Sequence, residues 1–317
     1  MQETDIFQNK TNSLKALENT SDNVKALEDV KMKRELHHRQ VDLARSTLRK
    51  DKEKAINGEC TVLAFDLQKT ISLPKVPTGV VYYKRQLSCF NLGIHDMGTS
   101  RGTMHLWHEG IAGRGPDEIG SCLMKHLNAN PTKETVVFLS DSCGGQNRNF
   151  KLVTILMRIV QVPAQHVKEI IQKFLIPGYS YLPNNTDFSH IENKMRCNQK
   201  IYYMNEILNI METCRVKKQK LGVVEMKCDD FFSSESLTSV LRNRKKVDGL
   251  TVAWMKIRCI RLSKEKPNVM QFKYTHNDDV VYYEISFSKR ARGRTPNLHH
   301  IALNLKYPRG RPLTSAK

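Results

Sequence analysis

Two short apolar runs, each ending on an aspartate, constrain the fold of this 317-residue chain more than any other feature. Residues 61–65 lead into Asp66, and residues 135–140 lead into Asp141. Both runs are rich in β-branched and aromatic residues, and both have the length of a buried strand. Ligands of open α/β sheets bind beyond the carboxyl ends of the strands. The pattern therefore predicts a sheet that presents Asp66 and Asp141 at its ligand-binding edge.

The segments around these runs predict a mixed sheet flanked by helices. Strands are expected at residues 80–83, 87–94, 102–107 and 173–176, and helices at 116–128, 147–160 and 164–172. A further helix is expected to begin at Thr186 or Asp187 and to run to about Cys197. Strands in a meander, followed by alternating strands and helices, are typical of an α/β fold.

The chain divides into five predicted segments. Residues 1–28 are polar and predicted to be disordered. The others are a helical segment (29–58), an α/β domain (59–200), a basic α+β extension (201–287) and a basic tail (288–317). Within the extension, a helix is expected near 234–242 and strands near 250–262, 269–274 and 280–287.

The net charge of +19 indicates a polyanionic partner, of which nucleic acid is the commonest. Residues 201–317 hold 23 Lys and Arg against 11 Asp and Glu. Two basic runs are candidate nucleic-acid contacts or nuclear-import signals, although such runs are also common as solvated surface. Their candidate residues are Arg244, Lys245, Lys246, Lys289, Arg290, Arg292 and Arg294.

Cysteine spacing and hydropathy bear on the cellular compartment. None of the eight cysteines forms a C-x-x-C pair, so a structural zinc site is not expected. We expect the cysteines to be reduced intracellular thiols instead. No run approaches the roughly 18–20 apolar residues that a membrane helix needs. We therefore expect an intracellular protein with no membrane segment, and the basic runs predict that it is nuclear. The oligomeric state stays open, and oligomerisation is compatible with the sequence.

A third acid follows the predicted strand at 173–176, and the choice lies between Asp187 and Glu192. Carboxylates gathered from separate strands repel one another and are stable together mainly around a cation. Hard oxygen ligands favour Mg²⁺ or Mn²⁺, and two such ions can promote phosphodiester cleavage or strand transfer. Aspartates also serve as helix N-caps, so a structural role for each acid stays open. An aspartyl-nucleophile phosphatase is disfavoured because Gln68 stands where its second acid would be.

The run from Ser140 to Asn149 resembles the Asp-x-Cys-x-Gly-Gln-Asn-basic-Asn signature of a transposon-derived eukaryotic protein family, common in insects. Residues 106–118 and 178–192 resemble the same family, and the resemblance runs from about residue 35 to the C-terminus. It implies a ribonuclease H-like, transposase-type core. By the same resemblance Asp66 and Asp141 are the first two metal-binding acids, and Asp187 is the preferred third, with Glu192 the alternative. One departure is Tyr179, where the family usually has histidine.

The leading hypothesis is a transposase-like nuclease or strand-transfer domain that acts on DNA with two divalent ions. Gln146, Asn147 and Arg148 are expected to contact the phosphate backbone at a helix start, or to be solvated there. The alternative is a catalytically inactive, transposon-derived protein that binds nucleic acid. The departure at Tyr179 motivates it.

Overall fold

A computed structural model describes residues 21–79, 84–163, 166–176, 182–215, 219–242, 246–247, 250–288 and 296–313. The helices are α1 (Ser21–Ile56), α2 (Pro116–Ala129), α3 (Phe150–Gln161), α4 (Pro183–Cys197), α5 (Met204–Thr213) and α6 (Glu235–Val240). The strands are β1 (Thr61–Leu67), β2 (Ile71–Leu73), β3 (Leu87–Asp96), β4 (Arg101–His108), β5 (Thr135–Ser140), β6 (Glu169–Phe174), β7 (Gly222–Glu225), β8 (Lys246–Val247), β9 (Leu250–Thr251), β10 (Cys259–Ser263), β11 (Val269–Lys273) and β12 (Tyr283–Ser286).

Ten of these strands form one mixed sheet in the order β12-β11-β10-β6-β5-β1-β3-β4-β7, with β2 paired to β3. Strands β1, β5 and β6 are parallel, so their carboxyl ends meet at one edge of the sheet. Strand β3 runs antiparallel to β1 and begins near that edge. The expected mixed α/β sheet with flanking helices and an N-terminal helix is therefore confirmed.

Alternation along the strands divides the core between the two faces of the sheet. Phe65 and Phe138 face the main core under α2 and α3, where their rings make an edge-to-face contact at 5.7 Å. Ala64 and Leu139 face the opposite side. Helices α1, α4 and α5 cover that side, and Phe188 and Ile191 of α4 belong to its core. Asp66 follows Ala64 by two residues and therefore lies on the α4 side.

The basic extension continues the sheet rather than forming a layer of its own. Strand β10 pairs with β6 from Cys259↔Lys173 to Ser263↔Glu169, and β11 and β12 follow outward. Residues 296–313 of the predicted tail return to α2, where the Lys306 ammonium lies 2.9 Å from carboxylate oxygens of both Asp117 and Glu118. The last third of the chain is thus packed against the core domain.

Some predicted boundaries were wrong. Helix α1 begins at Ser21, so residues 21–28 are helical rather than disordered, in keeping with the absence of Pro and Gly from 21–56. The helix predicted at 164–172 is wrong for residues 169–172, which form the start of β6 because parallel pairing with β5 outweighs the local pattern. The strand predicted at 80–83 lies outside the described residues. Within the described helices, none is both long and apolar enough to cross a bilayer.

Candidate functional site

Asp66 and Asp141 lie side by side at the carboxyl edge of the sheet. Strands β1 and β5 pair in parallel, and the last pair in their register is Ala64↔Leu139. Two residues further along each strand are Asp66 and Asp141. Neighbouring strands are about 4.8 Å apart, so the register makes the two aspartates direct neighbours. The pairing of the strands therefore brings the two acids to one edge, as the strand-end pattern predicts.

The charge of Asp141 affects the ionisation of Asp66. Desolvation by burial, followed by the negative charge of Asp141, raises the pKa of Asp66 to about 6. One oxygen of Asp66 accepts a hydrogen bond from the Leu67 amide at 2.8 Å, which opposes the shift. Near neutral pH the pair therefore carries repulsive charge that a cation would relieve.

A tight loop after β5 holds Asp141 in place. Oδ1 of Asp141 accepts hydrogen bonds from the Cys143 amide, at 3.2 Å, and from the Asn147 side-chain amide. Asn149, rather than Asp141, is the N-cap of α3, since its side chain accepts from the Leu152 amide at 3.0 Å. The capping role considered for Asp141 is therefore filled by another residue.

The residues predicted to contact a phosphate backbone differ in accessibility. Asn147 and Arg148 are both 3% exposed. The Arg148 guanidinium donates to Ser142 Oγ at 2.7 Å and to the Met255 carbonyl, and it lies 4.6 Å from the Phe174 ring centroid. In this structure both side chains build the Asp141 loop, whereas Gln146 stays half-exposed with its amide 3.5 Å from the Arg114 carbonyl.

Contact between the basic extension and this loop was not predicted from the sequence. Met255 is 60% exposed and lies against Gly144, where an added Cβ would come within 2.9 Å of the Met255 sulfur. The Met255 carbonyl accepts a hydrogen bond from the Arg148 guanidinium. The extension therefore contributes to the shape of the Asp141 side of the site.

Asp187 does not join the acid pair. Its side chain is fully buried in the second turn of α4, where Oδ2 lies 2.8 Å from His95 Nδ1 and Oδ1 pairs with the Arg215 guanidinium. Gly102 lies directly beneath it, so Asp187 sits over β3 and β4. Asp141 directly follows β5, which lies two strands beyond β3, a separation of about 10 Å at the usual spacing. Asp187 is a neutralised structural acid in this arrangement.

Asn184, one helical turn earlier, lies closer to the acid pair. Its Nδ2 donates to the Gly93 carbonyl at 2.8 Å, and Gly93 is the register partner of Asp66. The side chain is fully buried, and its Oδ1 has no hydrogen-bond partner among the described residues. Sequence reasoning missed this residue because it expected α4 to start at Thr186 or Asp187, whereas Pro183 opens the helix.

Glu192 lies elsewhere on α4, half-exposed in a cavity of about 390 Å³. Gln68, Lys69 and Thr70, which follow β1, also line the cavity, as does Arg196, one helical turn beyond Glu192. We call this cavity the β1-exit groove. It opens two residues beyond Asp66, so Glu192 is near the carboxyl edge of the sheet without being part of the acid pair.

The predicted basic contacts fall largely outside the part of the chain that the structure describes. This applies to Arg244, Lys245, Lys289, Arg290, Arg292 and Arg294, as well as to Tyr179. The backbone of Lys246 is described as the start of β8, but its side chain is not. The role of these residues in nucleic-acid binding stays a prediction.

Comparison of the chain with protein-family models, with curated proteins and with solved structures found no match. In the described ranges, no group of three His, Cys, Asp or Glu side chains is positioned to hold a metal ion. The candidate site consists of two coupled aspartates, one buried amide and a polar groove beside them.

Proposed function

We propose that this protein is a divalent-metal-dependent nuclease or strand-transfer domain that acts on DNA, with a ribonuclease H-like, transposase-type core. The observation that carries the proposal is the pair of aspartates at the ends of adjacent parallel strands, Asp66 and Asp141. The resemblance of residues 140–149 to a transposon-derived family supports the same assignment, as does the net charge of +19.

The strand order supports the fold assignment. Strands β1, β3 and β4 form an antiparallel meander, and β5 and β6 then add in parallel on the other side of β1. This arrangement has the first acid on the central strand and the second at the end of its neighbour. Two acids from different strands with a shared edge are a common basis for metal-dependent phosphodiester chemistry.

The donor set suits Mg²⁺ or Mn²⁺. Asp66 and Asp141 offer hard carboxylate oxygens, and each has one oxygen whose partners are backbone or side-chain amides. Asn184 adds a buried oxygen, without a partner in the described ranges, near the register partner of Asp66. Two bound ions would activate water or a 3′-hydroxyl and stabilise the leaving oxygen. The Asp141 loop, braced by Arg148, keeps the second carboxylate at the edge while the substrate phosphate is positioned.

The first test is Mn²⁺ titration by calorimetry, on the wild type and on Asp66→Asn/Asp141→Asn. We expect binding that the double variant loses, together with Mn²⁺-dependent nicking of supercoiled DNA that either single variant loses. Because Asp187 and Arg215 are untouched, the variants should keep the native circular dichroism spectrum. An unchanged cleavage rate in the two single variants would refute the assignment.

One observation favours a second candidate, a nucleic-acid-binding protein without catalysis. Asp187, the preferred third acid, is bound to Arg215 and His95 rather than facing the acid pair. This candidate predicts DNA binding that depends strongly on salt, is insensitive to EDTA and is unchanged in Asp66→Asn. Metal-dependent nicking that disappears in Asp141→Asn would exclude it.

A further inference from the structure

The β1-exit groove contains charged groups that no residue in the described part of the chain neutralises. Lys69 and Arg196 are exposed, and Glu192 is half-exposed. None of these three side chains makes an ion pair or hydrogen bond with another described residue. Lys75, the third cation of the groove, is used differently, because its ammonium donates to the Met195 carbonyl and lies 3.5 Å from that of Asn198, at the end of α4.

Glu192 and Arg196 form no ion pair with each other, although their spacing on α4 would allow one. Residues four apart on a helix are neighbours, and opposite charges in that position usually attract. Arg39 and Glu35 of α1 form such a pair at 2.6 Å, yet Glu192 and Arg196 do not. A carboxylate and two cations are therefore available to a ligand in one groove.

These groups match the chemistry of a nucleotide, which combines an anionic phosphate with a base that carries hydrogen-bond donors. Cations bind phosphate oxygens, and a glutamate accepts from the exocyclic amino group of a base such as cytosine. The cavity volume of about 390 Å³ is in the range of small-ligand sites. Gln68 lies about 7 Å along the strand from Asp66, so a nucleotide in the groove would adjoin a phosphate at the acid pair.

We infer that the β1-exit groove receives one unpaired nucleotide of the strand held at the acid pair. Its phosphate contacts Lys69 and Arg196, and its base presents an amino group to Glu192. The inference rests on the proposed function for the position of the strand. It adds that the substrate is single-stranded, or locally unpaired, next to the reacting phosphate, since a base stacked and paired in a duplex cannot enter a pocket.

Equilibrium binding tests the phosphate interaction without requiring catalysis. The full chain is titrated onto fluorescein-labelled oligo(dC) in EDTA over a series of NaCl concentrations, followed by anisotropy. For Lys69→Ala/Arg196→Ala we expect about tenfold weaker binding and a salt slope shallower by about 0.7 for each phosphate that is no longer neutralised. The matched control is Lys220→Ala/Lys264→Ala, which removes two exposed cations from the opposite edge of the sheet and should leave the slope nearly unchanged.

The base interaction is tested with Glu192→Gln on oligo(dC) and oligo(dT). The wild type should prefer oligo(dC) severalfold, and the variant should lose that preference while keeping the wild-type salt slope. Equal slopes for Lys69→Ala/Arg196→Ala and the wild type would overturn the groove assignment. So would duplex binding as tight as single-strand binding.

These outcomes are separable from the fate of the proposed function. A protein that nicks DNA through Asp66 and Asp141 but shows no slope change keeps the catalytic assignment and loses the nucleotide groove. A protein that shows the slope change without metal-dependent nicking keeps the groove and loses the catalytic assignment.

Discussion

Two acidic centres lie on the same face of the sheet and are built in opposite ways. Asp187 is fully buried, and its two oxygens are matched by His95 and Arg215. Asp66 is only partly buried, and its strongest charged neighbour is another acid, Asp141, which raises its pKa. The first centre is electrostatically complete within the protein. The second is complete only with something added.

The difference distinguishes an acid that stabilises the fold from a pair of acids that a bound ligand would stabilise. A buried charge without a partner is strongly unfavourable, so Asp187 is stable where it is because Arg215 accompanies it. Two like charges brought together reduce stability, and such an arrangement is typical of functional sites. Sequence position alone placed all three acids in one class, and only their partners distinguish them.

The largest expected effect is the loss of stability in Asp187→Ala. The change leaves Arg215 and His95 buried without their carboxylate, and breaking a buried pair in this way usually costs about 3–5 kcal/mol. Urea denaturation monitored by circular dichroism measures it. Glu192→Gln, on the exposed side of the same helix, is the control and should change the free energy of unfolding by less than about 0.5 kcal/mol. A loss in Asp187→Ala as small as the control's would remove the distinction between the two centres.

Asp66→Asn is expected to increase the free energy of unfolding, whereas Asp187→Ala lowers it. The pKa of Asp66 is about 6 in the fold, above its ordinary value of 3.8, so stability is lost as the pH rises from about 3.8 to 6 and the full loss is present above pH 6. The variant should therefore be more stable than the wild type near pH 8, by up to about 3 kcal/mol. That advantage should shrink as the pH falls through 6 towards 4, where the wild-type carboxyl is protonated. Denaturation curves near pH 8 and pH 4.5 would contradict the assignment if the wild type were the more stable at both.

Two histidines on the other face of the sheet should make stability fall as the pH falls, the opposite of the effect of Asp66. Desolvation by burial lowers the pKa of His126 to about 4, and the neighbouring His105 has a pKa lowered to about 3, first by burial and then by His126. Both are neutral in the fold, so their contribution to stability is complete above pH 6.5 and declines as the pH falls below it. His126→Leu should reduce the stability difference between about pH 7.5 and pH 5 by about 1–2 kcal/mol. A packing defect alone would shift both curves equally and leave that difference unchanged.

The smallest expected effect is a change in the pKa of Asp66 when Asp141 is replaced. In Asp141→Asn, the pKa of Asp66 should fall, because one of its two raising influences is removed. It should still stay above 3.8, because burial is the larger of the two. Titration of the Asp66 carboxyl carbon by NMR measures this shift. An unchanged pKa would show that the two carboxylates do not interact, and it would weaken the case for a shared cation.

Much of the architecture follows from local patterns in the sequence. The strands that carry the two aspartates, and helices α2 and α3, are predicted within a few residues, because hydrophobic runs of the right period lie between clear stop signals at Gly and Pro. Weaker signals failed where pairing decided the outcome. Residues 169–172 have no strong strand pattern of their own, yet they lie between β5 and β10 and are held by both.

The candidate site shows the same division between sequence and fold. By itself, the sequence determined that Asp66 and Asp141 each follow a buried strand, because a strand-end aspartate is a local feature. Only the parallel pairing of β1 with β5 made those strands neighbours. The sequence could not determine which acid on α4 faces them, since that depends on where the helix starts and on how it crosses β3 and β4. Tertiary structure placed Asp187 over Gly102 with Arg215, Asn184 beside Gly93, and Glu192 in the groove. Those contacts join residues far apart in the chain, and their geometry exists only when the sheet and helix have packed together.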